Sequence, residues 1–361
     1  MPPRRRLSPA IFALPVEKMR DGYYSDVYFN RAREILNADG HHPRVRMQVF
    51  QRNTSVLCGI DEALAIVRLC SDDWEGLTVR ALHDGDAIEP FETVMTIEGD
   101  YALFAHLETL YLGVLARRTR IATNAREIVD AARGKDVLFF PARFDHHQMQ
   151  TGDGYAAYIS GALGVSTDAN AEWWGSRGMG TVPHSLIAAY GGDTVLATTK
   201  FAEYIPPSVN VISLVDFEND CVATSLAVAR ALGPRLYGVR LDTSATLVDR
   251  SLWPQMGTFV PTGVNPQLVR NVRSALDAEG FAHVKIVVSG GFNAAKIRMF
   301  ERLRVPVDAY AVGSAFFERS GLFDFTADIV ALEVDGEWRE CHKVGRPERP
   351  NARLEVVPKD Y

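Results

Sequence analysis

Apolar and polar positions change rhythm along the chain. Residues 45–52 alternate almost one by one and predict a strand with one solvated face. Residues 61–70 instead place Ala63, Leu64, Ile66, Val67 and Cys70 at helical spacing. Residues 79–82 and 94–98 predict two more strands, with Asp84-Gly85-Asp86 turning between them. Residues 101–132 predict helix, broken around 117–120. From residue 137 the text becomes short apolar runs (137–140, 179–182, 209–215, 236–241, 285–288, 309–312) between helical stretches at 154–161, 185–190, 221–231, 266–279 and 294–302. A strand and a helix every roughly 25 to 45 residues is the repeat of a parallel sheet. The repeats number about six, fewer than the eight of a regular barrel. The fold class expected is therefore α/β: an irregular α/β barrel over residues 116–324, preceded by an N-terminal α+β domain at 1–115. Strand-like text returns at 329–334 and 353–357, so the C-terminal segment 325–361 is expected to rejoin that first domain.

Composition narrows the partners. The chain has 361 residues, 47% hydrophobic and 23% charged, as in an ordinary globular protein. A net charge of −6 argues against nucleic acid as the main partner, while leaving room for a local basic pocket. Cys58, Cys70, Cys221 and Cys341 form no C-x-x-C pair, so neither zinc nor a disulfide framework is expected, and a reducing, cytoplasmic setting is. Arg4-Arg5-Arg6 precedes only a short apolar patch and reads as a solvated tail rather than a signal peptide. No run approaches the ~18 apolar residues of a membrane span.

The chemistry gathers where the apolar runs end, which is where a barrel builds one active site. His184 follows Gly180-Thr181-Val182-Pro183 and precedes Ser185, a residue able to cap the next helix. It has the chemistry of a base, nucleophile or metal ligand, but no carboxylate or second histidine sits at helical spacing from it. Phe140 and Arg143 close the run 137–140 and suit a flat anionic ring. Arg240 and Asp242 share one face of their strand by its period of two. They read equally as a ligand pair for phosphate and ribose and as an internal salt bridge. Ser289-Gly290-Gly291 and Gly313-Ser314 are strand-end turns of the kind whose N–H groups cradle phosphate.

At Gly180-Thr181-Val182-Pro183-His184, Gly238-Val239-Arg240-Leu241-Asp242 and Ser213-Leu214-Val215-Asp216 the chain resembles the nicotinate phosphoribosyltransferase family, of type II phosphoribosyltransferase fold. Ser25-Asp26-Val27-Tyr28-Phe29 and the text from Leu107-Glu108-Thr109-Leu110 to Arg120-Ile121-Ala122-Thr123 extend the resemblance over roughly residues 20 to 345. The resemblance implies transfer of phosphoribosyl from phosphoribosyl pyrophosphate to nicotinate in NAD salvage. It further implies coupling to ATP hydrolysis through a phosphohistidine at His184, with Mg2+ on the leaving pyrophosphate. It places Phe140 against the pyridine ring, with Tyr28 of the other subunit opposite, and so implies a homodimer. Arg143 and Arg240 would meet the base's carboxylate or the phosphates, and Asp242 the ribose hydroxyls. Ser289, Gly290, Gly291, Gly313 and Ser314 would hold the 5′-phosphate, and Lys343 would reach the phosphates from a basic loop.

Asp168, in Gly164-Val165-Ser166-Thr167-Asp168, departs from that pattern. A carboxylate there would repel nicotinate and accept a hydrogen bond from nicotinamide, so nicotinamide stands as the alternative base. Other readings are a quinolinate phosphoribosyltransferase, which needs more basic residues, a phosphosugar aldolase or isomerase, which needs a strand-borne lysine, and a non-catalytic nucleotide-binding protein of this fold.

Overall fold

The computed structural model describes residues 5–318 and 323–361; Met1, Pro2, Pro3 and Arg4 lie outside the described residues. The strands, in chain order, begin with β1 (Arg44–Phe50), β2 (Ser55–Val56), β3 (Thr78–Ala81), β4 (Ala87–Ile88) and β5 (Thr93–Asp100). Then come β6 (Asp136–Phe139), β7 (Gly164–Val165), β8 (Val211–Leu214), β9 (Leu236–Leu241), β10 (Lys285–Val288) and β11 (Ala309–Val312). The last three are β12 (Thr326–Val334), β13 (Glu337–Glu340) and β14 (Glu355–Val356). They fall into two units, residues 1–123 with 319–361, and residues 124–318.

The first unit is an antiparallel sheet in the order β13-β12-β1-β5-β3-β14, with helix Ile60–Cys70 packed into its core beside Val49, Ile97 and Leu107. β12 pairs antiparallel with β1, so the C-terminal segment is part of this sheet. The expected solvated face of β1 is covered. Gln48, fully buried, donates to Pro347 O (3.1 Å) and accepts from Arg349 N–H (3.0 Å), while Arg46 pairs with Glu348 (3.0 Å). Arg6 is likewise no solvated tail: its guanidinium meets Asp61 at 2.9 Å and donates to the carbonyls of Ala81 and Leu82. The helix Glu108–Ala131 runs unbroken through 117–120. The polar residues that suggested a break are held inside, Arg118 by Glu62 (2.9 Å) and Thr119 by the backbone of Cys58 (3.1 Å).

A buried histidine and a half-buried glutamate give this unit an opposed pH response. Burial, with Asp328 and Asp26 nearby, pushes the Glu108 carboxyl up to about 7 from 4.5. Its stabilising, protonated form is fully present below pH 4.5 and lost as pH rises through 7, costing about 3 kcal/mol by pH 8. His106 acts the other way. Burial, then Arg33, holds it down to about 4, so the stability it contributes above pH 6.5 is lost as pH falls toward 4. Glu108→Gln is expected to gain Tm over the parent at pH 8 and little at pH 5. A Tm difference that stays constant between those two pH values would refute the burial of a titrating Glu108.

The second unit is a curled parallel sheet in the order β7-β6-β11-β10-β9-β8. Its strands bury both faces, as parallel strands covered by helices do. Leu138, Val287, Ala309 and Ala311 form a small cluster on one face, with Phe140 and Ile212 against it. Phe139, Ile286, Val288 and Tyr310 are also buried. The helices between the strands start on side-chain caps: Asp193 takes Leu196 N–H, Asp220 takes Ala223 N–H, Asn265 takes the N–H groups of Gln267 and Leu268, and Asn293 takes Lys296 N–H. Helix Thr194–Tyr204 was not expected from the sequence pattern.

Residues 179–182, expected as a strand, form no ladder. Met179 N–H bonds Val165 O of β7 (2.8 Å) and Val182 N–H bonds Ile212 O of β8 (3.0 Å). This extended segment thus bridges the two edge strands and closes the sheet where a strand is missing. The sixth strand is β7, whose two residues are too few for any periodicity to reveal.

Candidate active site

After residue 182 the chain turns through Pro183 directly into helix His184–Ala189. Pro183 occupies the cap position without a side-chain hydrogen bond, so Ser185 is not the cap and His184 sits on the first turn. That places its ring at the rim of a cleft of about 730 Å³ lined by strand-end residues, among them Phe140, Arg143, Arg240, Asp242 and Ser289. The cleft is within the usual size range of small-molecule sites. Gly290, Gly291, Gly313 and Ser314 line it as well.

His184 Nε2 lies 3.1 Å from Asp216 Oδ1. The imidazole is half-exposed, while Asp216 is 9% exposed at the end of the β8 run. Burial raises the Asp216 carboxyl above its ordinary value, the nearby His184 opposes that, and the Asp242 carboxylate adds to it. A carboxylate on Nε2 fixes the tautomer with the proton there and leaves the Nδ1 lone pair free to act. This partner is 32 residues away in sequence, so helical spacing could not reveal it.

Arg240 and Asp242 do form a salt bridge, at 3.0 Å, and it belongs to a larger network. Arg240 Nε donates to Ser289 Oγ (2.8 Å) and its other terminal nitrogen to Thr181 Oγ1 (3.1 Å). Ser289 in turn donates to Asp242 Oδ1 (2.7 Å). Three neighbouring segments are thereby locked by one planar guanidinium, whose fork matches such fixed acceptors. Each Asp242 oxygen keeps a lone pair for a ligand hydroxyl. Thr181 escaped the sequence reading, although it stands in the same segment as His184.

Gly290 and Gly291 have φ of 83° and 70°, the left-handed region that favours glycine. At Gly313 the constraint is space: a Cβ there would sit 2.8 Å from the Phe144 ring. Phe140 N–H bonds Val312 O (2.8 Å), which sets its ring at the cleft wall. Arg143 is exposed, its guanidinium 5.6 Å from the Phe144 ring centre. Ser166 and Thr167 also line the cleft, and Ser166 Oγ is buried with no hydrogen-bond partner among the described residues. Asp168 is exposed and its Oδ1 accepts from Gly178 N–H (2.8 Å), a bond that pins the loop. Tyr28 and Lys343 belong to the first unit. Tyr28 is an exposed ring on helix Val27–Asp39, and Lys343 is exposed in the segment after β13.

Among the described residues no group of three or more His, Cys, Asp or Glu is placed to hold a metal ion, and no helix is long and apolar enough to cross a membrane. Asp216 and Asp242 offer two neighbouring carboxylates, a donor set that suits Mg2+ completed by water and substrate phosphates.

Comparison with known proteins accords with this geometry. Residues 26–119 match the domain family described as quinolinate phosphoribosyl transferase, N-terminal domain. Two Mycobacterium tuberculosis proteins, nicotinate phosphoribosyltransferase pncB1 and pncB2, are 29% and 27% identical over 284 and 281 residues, 76% of this chain in each case. Those stretches are 57% and 55% of the two relatives, so the chain spans little more than half their length. The crystal structure of nicotinate-nucleotide pyrophosphorylase from Pyrococcus furiosus is 33% identical with a TM-score of 0.78, over 96% of this chain and 86% of that one. Human nicotinic acid phosphoribosyltransferase shares the fold, with a TM-score of 0.64 at 19% identity over 87% and 75% of the two chains. The curled parallel sheet with its antiparallel companion is thus the type II phosphoribosyltransferase fold. Within that class, the chain belongs to the nicotinate phosphoribosyltransferase family.

Proposed function

We propose that the protein transfers phosphoribosyl from phosphoribosyl pyrophosphate to nicotinate, giving nicotinate mononucleotide and pyrophosphate in NAD salvage. ATP hydrolysis is coupled to transfer through phosphorylation of His184, in a cytoplasmic homodimer. The observation that carries this reading is the convergence of His184, backed by Asp216, the Arg240–Asp242–Ser289 network and two glycine turns on one cleft with an aromatic wall.

The reaction displaces pyrophosphate from ribose carbon 1 by the pyridine nitrogen through an oxocarbenium-like transition state, so the protein's work is positioning and charge stabilisation. Phe140 carries one face of the pyridine and, in the dimer, Tyr28 of the partner subunit the other. Arg143 is the freer of the two guanidiniums and takes the base's carboxylate, with Ser166 Oγ available in the same cleft. Among the described residues that line the cleft, Arg143 is the guanidinium without a carboxylate partner, and one such group suits one carboxylate, which favours nicotinate over quinolinate. Asp242 accepts the ribose hydroxyls, the turns Ser289-Gly290-Gly291 and Gly313-Ser314 hold the 5′-phosphate, and Lys343 adds positive charge toward the phosphates. Asp216 and Asp242 would hold Mg2+, which would supply charge neutralisation for the departing pyrophosphate. With its Oδ1 engaged by Gly178, Asp168 serves the loop rather than an amide of the base.

The test is mononucleotide formation from phosphoribosyl pyrophosphate and Mg2+ with nicotinate or nicotinamide, each with and without ATP. ATP-stimulated product from nicotinate is expected. Turnover restricted to nicotinamide would return Asp168 to the base site, and no turnover with either base would overturn the assignment.

A further inference from the structure

A second cavity, of about 500 Å³, lies in the same unit between residues 258–265 and the helices Pro266–Ala278 and Ala294–Arg302. Phe259, Val260, Met299, Phe300 and Leu303 give it apolar walls. Among the described residues its charged lining consists of two cations, Arg270 and Lys296, with no carboxylate. Neither makes an ion pair among the described residues. Arg270 donates to Leu303 O (2.8 Å), and the half-buried Lys296 ammonium lies 3.3 Å from Gly290 O and 4.2 Å from the centre of the Phe292 ring. A partly buried ammonium balanced only by a carbonyl and a π face lacks the counter-charge that buried cations ordinarily have. Burial accordingly holds the Lys296 amine below its ordinary value.

We infer that this cavity is a binding site for a small organic carboxylate with an apolar body, its charge met by Lys296 and Arg270. Phosphate fits less well, because the N–H groups of Gln267 and Leu268 at the adjoining helix start are already taken by the Asn265 side chain. The apolar walls take the body of the ligand by burial, and the two cations select its charge. Lys296 also links this cavity to the cleft. A carboxylate that draws the ammonium away from Gly290 O frees the turn Ser289-Gly290-Gly291. This coupling rests on the phosphoribosyl reading above, whereas the binding site does not.

The experiment is calorimetric titration of the full chain with octanoate and with octanol as its neutral analogue, on the parent and on Lys296→Met and Arg270→Met. Arg270 lines this cavity and not the cleft, so its variant leaves the cleft's own contacts intact. One saturable octanoate site per chain is expected, absent for octanol and weakened about tenfold or more in each variant, as for loss of a charge-assisted contact. No saturable binding, or equal affinity in the parent and both variants, overturns the site. With binding intact, a raised KM for phosphoribosyl pyrophosphate in octanoate supports the coupling, and an unchanged KM overturns the coupling while the site stands.

Discussion

Replacing Arg240 by alanine is expected to lower kcat/KM for phosphoribosyl transfer by about 10³-fold, because one side chain organises most of the cleft floor. Its guanidinium bonds Ser289, Thr181 and Asp242 together, and Ser289 bonds Asp242 again. Removing it leaves the partly buried Asp242 carboxylate without its cation. Breaking a partly buried pair together with the bonds to Ser289 and Thr181 costs roughly 3–5 kcal/mol, and the larger part of that is expected to appear as lost transition-state positioning. Arg240→Lys keeps the charge but not the fork, so it is expected to recover only part of the loss. Steady-state kinetics with nicotinate, alongside circular dichroism to confirm folding, decide the matter. An alanine variant within tenfold of the parent would show that the network is scaffolding remote from the chemistry.

His184→Ala is expected to abolish the stimulation by ATP, bringing the ratio of rates with and without ATP to about 1, while ATP-independent transfer persists. Transfer itself needs no nucleophile on the protein, so deleting the imidazole leaves the positioning groups in place. The nitrogen that would carry the phosphoryl group is lost. Asp216→Asn sharpens the test. The Asp216 carboxylate accepts a hydrogen bond from Nε2–H and thereby directs the Nδ1 lone pair outward. An amide accepts that hydrogen bond without the charge that stabilises the imidazolium, so ATP stimulation is expected to fall between the parent and His184→Ala. Equal ATP stimulation in His184→Ala and the parent would remove the phosphohistidine from the mechanism.

Much of the second unit was legible because its signals are local. The runs 236–241, 285–288 and 309–312 and the helix Ala294–Arg302 coincide with the observed elements, since each is an apolar run or stripe bounded by a turn or cap residue. The candidate residues Phe140, Arg143, Arg240, Asp242 and Ser289 were also legible, because a parallel sheet exposes the residues at the C-terminal end of each buried strand, and His184 because it follows an apolar extended segment that behaves like one. Their presence along one cleft is a consequence of that rule.

Other features were out of reach of periodicity. The bridging segment 179–182 looks like a strand because it is apolar and extended, yet its two backbone bonds go to different neighbours. Polar residues on β1 looked solvated because nothing near them in sequence covers them, whereas residues 346–349 do so from the far end of the chain. Arg6 finds Asp61, His184 finds Asp216, and Arg240 finds Thr181 and Ser289 across separations that no local pattern records.

The sequence by itself therefore determined the α/β class, the order of most elements of the second unit and the residue types at the strand ends, all of which derive from local burial and turn chemistry. The tertiary structure alone decided which of those residues are partners, which nitrogen of His184 is free, and that Lys296 stands in a second cavity without a counter-charge. Such pairings depend on how the sheet curls and closes, and that is settled by contacts between segments far apart in the chain.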